Sequence, residues 1–503
     1  MNFIDRFLNR TTMYRLVLYE LLTLLLIAGI ASAFGLLPFY PTYLAWSVAL
    51  ITIIALAGNT IFAKIFGAPS NPESTYITAL ILALIISPPS SFMDFHFLSL
   101  MFWATIWAVA SKYIFAVLNK HLFNPAAFGV AITAFFLLQS ATWWIATSVM
   151  IPFVLVGGFL ITRKIKRFDL VISFLIVSSL AIFIPAISHG VDFTSSITRA
   201  FVLVPTIFLA TVMLTEPLTT PPTRIKRILY GIVVGALFFP GIHLFGLYAT
   251  PALALLVGNL FSYLISPKTK LILTLTNRIR LANDVYEFVF TPNRRLAFSS
   301  GQYLEWTLPH DAYDNRGIRR YFTIASAPTD KTIRLGAKFY DPASTFKKTL
   351  MSLHKGSTLV ASQLSGDFVM PRNTHKKLVF IAGGIGITPF ISMIRHLIDK
   401  NKSRDIVLLY ANRTTLDTAY SDILENATAH GVRTVYAFSN EPEASGGIVI
   451  INADVIRAQI PDFYERIFYI SGPHGMVAGI ATTLRTLDVP ASHIKADYFP
   501  GFA

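Results

Sequence analysis

Five stretches hold side chains whose type and spacing can do chemistry. HGVDFTSSITRAF (residues 189–201) sets the hydroxyls of Thr194, Ser195, Ser196 and Thr198 between two long apolar runs. A plain turn needs only a Gly, a Pro or an Asn, so the hydroxyls raise a question of function; the plain reading is an Asx or Ser/Thr turn capping the next helix. KKLVFIAGGIGITPFISMIRHL (376–397) reads as a strand, a turn with Gly383, Gly384 and Gly386, and a helix entered at Thr388 and Pro389. That order leaves backbone open to a nucleotide at the strand's C-terminal end, although glycine turns after strands are common. RRYFTIASAP (319–328) brings Arg320, Phe322 and Thr323 about 60 residues earlier, and YISGPHGM (469–476) brings Ser471, Gly472 and Pro473 about 85 residues later. Ser344 and Thr345 precede a helical FKKTLMSL, whose N-terminus can hold a pyrophosphate. The bland readings are a solvated Arg319–Arg320 pair, a Phe322 that only packs, and a Ser471 that is merely small. The chain has no cysteine, which excludes disulfides, Cys-ligated iron–sulfur clusters, Cys-rich zinc sites and thiol catalysis. No metal site is expected, so a redox cofactor must be organic.

The elements that position these residues differ between the two halves. The 503 residues are 54% hydrophobic, with a mean hydropathy of +0.58. Residues 1–266 hold 14 Lys/Arg and 7 Asp/Glu; residues 267–503 hold 28 and 20. The first half therefore reads as membrane, the second as soluble and large enough for two domains. Ten spans of about 20 apolar residues are expected, near 13–34, 41–63, 74–90, 96–117, 126–140, 143–162, 168–187, 200–214, 228–246 and 250–266. With the N-terminus inside, thirteen Lys/Arg fall on the inner side and only Arg199 outside, as the positive-inside rule requires. This places residues 189–201 on the outer face and the second half in the cytoplasm. MNFIDRFLNRTTMYR, basic and without a small-residue cleavage site, reads as the approach to a first anchor in the cell (inner) membrane. The net charge of +15 then reflects inner loops, and the partner is the lipid bilayer rather than nucleic acid. After a linker, SPKTK (266–270), alternating text such as DVYEFVFTP (284–292) predicts a β-barrel over 267–373. Strands alternating with helices predict a parallel α/β domain over 374–503.

Two resemblances follow. Asp192-x-x-Ser195-Ser196-x-Thr198, FNPAAFG (123–129) and TEPLTTPPT (215–223) resemble the RnfD and NqrB membrane subunits over roughly residues 10–265. The resemblance implies ten spans, an FMN joined through its phosphate to Thr198 by a flavin transferase, and half-helices at Asn124-Pro125 and Glu216-Pro217 lining a non-covalent riboflavin or second FMN. Phe193 and Ile197 stand where that family has Gly and Ala. The second half, over 272–503, resembles the ferredoxin–NADP reductase family, which implies an FAD-binding barrel followed by an NAD(P)H-binding domain. In that family Arg320 would meet the FAD pyrophosphate, Phe322 would replace a tyrosine against the flavin, and Thr323 would lie near flavin N5. Ser344 and Thr345 would add to the pyrophosphate site. Gly383, Gly384, Gly386, Thr388 and Pro389 would receive the nicotinamide dinucleotide. Ser471, with Gly472 and Pro473, stands where many relatives have Cys-Gly-Pro, and Phe499 or Phe502 in the tail ADYFPGFA would cover the flavin. Arg413 leaves NADH and NADPH open.

The resulting expectation is a transmembrane NAD(P)H-dependent flavoprotein oxidoreductase, carrying electrons from cytoplasmic NAD(P)H through FAD and membrane flavins to an extracytoplasmic acceptor. A hydrocarbon core about 30 Å thick calls for an intermediate carrier. Two other classes are weighed. A ferric-reductase or NADPH-oxidase type needs stacked histidine pairs for haem, whereas His96, His121, His189 and His243 lie in four separate segments. A redox-driven ion pump needs acidic residues within spans, and few are there.

Overall fold

The computed structural model describes all residues except 1–6, 9–10, 68–71, 118–119, 189, 239–242, 245–246, 249, 267–269, 311–313, 315–317 and 500–503. The chain divides into two compact units at the Lys268/Thr269 boundary.

The N-terminal unit is helical: α1 (Met13–Ala33), α2 (Pro41–Ile65), α3 (Pro72–Ile85), α4 (Phe95–Ile114), α5 (Pro125–Leu137), α6 (Ile151–Ile165), α7 (Phe168–Ser188), α8 (Phe193–Thr198), α9 (Arg224–Leu237) and α10 (Pro251–Ile265). Four of these, α1, α2, α4 and α7, are long and apolar enough to cross a membrane. A fifth candidate is a pair, Thr194–Val202 and Thr206–Met213, bent by 48°. The expected ten full-length spans are thus not all present as such. Helices α3, α5 and α10 are apolar but shorter. The reason is local at α3. Its last carbonyls are taken by an irregular segment: Trp143 N donates to Ile85 O (2.8 Å) and Ile145 N to Leu84 O (3.3 Å), and the Trp144 indole N–H reaches Ala83 O and Ile86 O (2.9 and 3.1 Å). Non-helical backbone among apolar elements is tolerated where protein satisfies it. The same segment delays the next helix, expected from 143, to Ile151.

In the C-terminal unit, β1 (Lys270–Ala282), β2 (Val285–Pro292), β3 (Tyr303–Thr307), β4 (Arg319–Thr323), β5 (Ile333–Lys338) and β6 (Thr358–Ser365) form one antiparallel sheet in the order β4-β3-β6-β1-β2-β5. This is a correction to the expected barrel: the sheet curls, but its end strands β4 and β5 share no ladder. Instead, Ala325 just beyond β4 donates its N–H to Arg334 O on β5 (2.9 Å). The core inside includes Phe288, Phe290, Leu304, Trp306 and Phe346, the last from α11 (Thr345–Ser352).

Strands β7 (Leu378–Gly383), β8 (Ile406–Asn412), β9 (Val432–Phe438), β10 (Ile467–Pro473) and β11 (Ile494–Phe499) make a parallel sheet ordered β9-β8-β7-β10-β11. Every residue of β7 is buried, as a strand covered on both faces must be. Helices α12 (Thr388–Asp399) and α13 (His474–Thr486) follow β7 and β10. The order runs outward in both directions from β7 and β10, so the sheet's switch point, where ligands bind, lies between them.

Candidate functional site

Arg320 and Phe322 alternate onto one face of β4, and both meet Phe346 of α11: the Arg320 guanidinium is 5.3 Å from the ring centroid and the Phe322 ring 5.8 Å. Ser344 is the N-cap of α11, accepting from Lys347 N. The carboxylate of Asp314 bridges the two elements. It accepts from Arg320 Nη2 at 3.3 Å and from the Thr345 backbone N–H at 3.4 Å. Its own N–H donates to Thr345 Oγ1 (3.1 Å), which also contacts His310 Nε2 (3.1 Å). An anion is therefore held between an arginine fork and a helix N-terminus. The carboxylate oxygens stand in for phosphate oxygens, so the residues fit the pyrophosphate of FAD. Asp314 was not singled out in the sequence; an acidic residue shortly before RRYFT was its only signal. Thr323 is buried at the end of β4.

The glycine turn sits at the switch point. Gly384 has a φ of +51° and open space around it, so it is there for conformation. Gly386 is there for approach: a Cβ would lie 2.5 Å from Ser471 O and 2.6 Å from Gly472 Cα. A Cβ on Gly383 would lie 2.5 Å from Met476 Sδ and 3.0 Å from Pro473 Cδ. Thr388 opens α12, with its hydroxyl on Ile385 O (3.2 Å), and Pro389 occupies its first turn. Ser471 is fully buried, and its Oγ has no hydrogen-bond partner among the described residues. An orphaned buried hydroxyl beside bare backbone fits a polar ligand group arriving there. Phe499 ends β11 beside Pro473; its side chain, and Phe502 altogether, lie outside the described residues. Arg413 is exposed just beyond β8.

The sheet and the curled domain are clamped by a buried carboxylate that sequence reading missed. Glu287 on β2 accepts from Arg334 (2.7 Å) and from Arg395 of α12 (2.9 and 3.3 Å). Arg395 also donates to Ala325 O (2.9 Å) and lies 5.4 Å from the Tyr420 ring, whose phenol burial pushes well above its ordinary value. Ser392 Oγ adds a bond to Ser326 O (2.7 Å).

Residues 380–482 match the oxidoreductase NAD-binding domain family. The chain is 27% identical over 238 residues to the flavohemoprotein of Candida albicans, covering 44% of this chain and 58% of that one. It is 28% identical over 214 residues to NADH-cytochrome b5 reductase 1 of Ajellomyces capsulatus, covering 40% and 69%. The FAD/NAD-binding domain of nitric oxide dioxygenase from Vibrio cholerae is similar at 19% identity, with 46% and 98% covered and a TM-score of 0.39. The chain is thus similar to flavohemoproteins and NADH-cytochrome b5 reductases, and within it residues 380–482 to an oxidoreductase NAD-binding domain. This reductase module is of the NAD(P)H-dependent flavoprotein oxidoreductase kind. The chain spans little more than half the length of the flavohemoproteins it matches, 52% and 58% for two of them.

Ahead of the reductase module, Asn124 and Glu216 come together. Asn124 caps α5 through Ala127 N, and its Nδ2 donates to Glu216 Oε2 (2.9 Å). Glu216 Oε1 contacts His121 Nε2 at 2.7 Å. The Asn124 N–H donates to Asn259 Oδ1 (2.7 Å), and Asn259 Nδ2 to the Tyr230 hydroxyl (2.8 Å). Glu216 thus closes a polar chain across four segments. This chain also engages His121, one of the histidines weighed for haem.

Asp192 accepts from Ser195 N at 3.0 and 3.1 Å, a bond that holds its carboxyl below the usual carboxylate range. It therefore caps α8, the plainer of the two readings for this stretch. Thr198 ends α8 exposed, its Oγ1 donating to Thr194 O (3.0 Å), while Ser196 is buried. The Arg199 side chain lies outside the described residues.

Proposed function

We propose that this protein is a transmembrane flavin-based oxidoreductase, moving electrons from cytoplasmic NADH or NADPH to an extracytoplasmic acceptor. The meeting of Ser471–Gly472 with Gly383–Gly386 at the switch point carries the reading, within a stretch matched by an oxidoreductase NAD-binding family. A flavin held by the curled-sheet domain would supply hydride acceptance from a nicotinamide at that point and one-electron release. The chain's residues do the rest. Arg320 and the α11 N-terminus hold the pyrophosphate once Asp314 gives way. Gly386 lets the dinucleotide lie on bare backbone, and Ser471 Oγ offers its hydroxyl to the nicotinamide. Glu287, through Arg395, fixes the angle at which the two domains present their ligands.

The N-terminal half would then be the membrane conductor. Four long apolar helices and the shorter apolar ones, α3, α5 and α10, support this reading. Asn124, at the proline-started α5, and Glu216, in the turn after Met213, would face a non-covalent riboflavin or FMN. Thr198, exposed beyond the Asp192 cap, would be the acceptor for a covalent FMN added by a flavin transferase.

Full-length protein made with a flavin transferase should show a fluorescent band on a denaturing gel, absent in Thr198→Ala. NADH oxidation with a soluble dye should be equal in the two. A wild-type chain without fluorescence would remove the covalent outer flavin from this scheme.

A further inference from the structure

Glu20 lies inside α1, a 21-residue helix of mean hydropathy 2.1. At 1.5 Å per residue it is roughly 10 Å from the helix start, within the apolar stretch. Its carboxyl is seated against α6, over Gly157, where a Cβ would occupy the carboxyl's own place. Oε1 is buried and has no hydrogen-bond partner among the described residues. The titratable groups on the elements packed there are Tyr14, Arg15 and Tyr19 on α1, Tyr43 and Lys64 on α2, Glu73 and Tyr76 on α3, and Arg163 and Lys164 on α6. Arg15 pairs with Glu73 at 3.9 Å, and Lys164 Nζ donates to Leu8 O at 2.5 Å. None of them is hydrogen-bonded to the Glu20 carboxyl. A glycine inside a helix is destabilising, and here it makes room for an acid that no countercharge requires. Ionisable side chains at such depth carry a cost that structure alone does not recover.

Resting on the reading of the N-terminal half as a membrane conductor, we propose that Glu20 is its proton-exchange site. The carboxyl stands as the neutral acid in its apolar seat. It gives up a proton to water at the outer face when an electron leaves the half and regains one from water at the inner face when the next electron enters. One proton thus balances one electron. A proton needs no ligand beyond the carboxyl, whereas a sodium ion needs several oxygens around it, and none is bonded to Oε1.

Dicyclohexylcarbodiimide tests the resting state. The acid O–H adds across a C=N bond of the reagent to give an O-acylisourea, which rearranges to an N-acylurea; nothing leaves, and only a neutral acid in an apolar seat reacts at neutral pH. Full-length protein in lipid nanodiscs, read by peptide mass spectrometry, should carry the adduct on Glu20. In proteoliposomes, Glu20→Gln should keep wild-type NADH oxidation with a soluble dye, while proton uptake per electron delivered falls to less than a tenth. An unlabelled Glu20, undiminished proton uptake in Glu20→Gln, or protection from the reagent by sodium chloride but not potassium chloride overturns the proposal. Wild-type vesicles that deliver no electrons across the bilayer overturn the conductor reading and the coupling with it. The labelling result stands apart from both, and a labelled Glu20 in such vesicles locates the failure in the conductor reading.

Discussion

Ser471 and Gly386 act on the same few ångströms in different ways. Ser471 has a buried hydroxyl without a partner among the described residues, so its proposed role is a hydrogen bond made only with ligand present. Ser471→Ala should slow reduction of bound FAD by NADH roughly fivefold, the worth of about 1 kcal/mol for one such bond, with FAD affinity unchanged; stopped-flow absorbance measures both. Gly386 has a role of space. Gly386→Ala puts a methyl 2.5 Å from Ser471 O, a backbone atom with nowhere to go. The expected result is a KM for NADH raised at least tenfold, while FAD, gripped on the other domain by Arg320, stays bound.

Among elements, the clamp between the curled sheet and α12 decides whether two ligand sites face one another. Glu287 is almost fully buried between Arg334 and Arg395. Removing one partner of such a group leaves buried charge uncompensated, about 3 kcal/mol. Glu287→Gln should lower the melting temperature of the reductase module by several degrees and reduce kcat more than FAD affinity. A second staple holds the sheet end away from the site: Asp462 accepts from Arg466 (2.6 Å) and Lys377 (2.9 Å), and these hold its carboxyl down to about 2. The unfolded value is about 3.9, so the folded value is depressed. The staple's stabilisation is then complete above pH ~4 and is lost as pH falls toward 2. Near-UV circular dichroism should show that acid loss weakened in Asp462→Asn, which is already less stable at pH 7.

For the whole molecule, orientation is the testable consequence. On the proposed ten-span arrangement, thirteen basic residues to one favour a single topology, with the reductase module inside. Everted membrane vesicles should oxidise added NADH with ferricyanide directly. Right-side-out vesicles should show less than a tenth of that rate until permeabilised. Equal rates from both would remove the assigned topology and the route from inner donor to outer acceptor.

Element types and the glycine turn were legible in the sequence because their causes are local. Apolar runs, two-residue alternation and a glycine turn between strand and helix act within a few residues, so RRYFTIAS, GGIGITP and SGP could be read in order. Span lengths were less legible: hydropathy does not see that Trp143 and Trp144 finish the hydrogen bonding of α3 and so let the helix end early. Partnerships were illegible wherever the partner is distant in the chain. Asn124 meets Glu216 across 92 residues and Glu287 meets Arg395 across 108; Glu20 finds its seat on Gly157 only once α1 packs against α6. By itself the sequence determined which backbone would be bare and which stretches would be apolar. Only the tertiary structure decided which buried carboxylates are paired, and which carboxyl and which hydroxyl are left without a hydrogen-bond partner among the described residues, since burial and pairing are properties of neighbours brought together by packing.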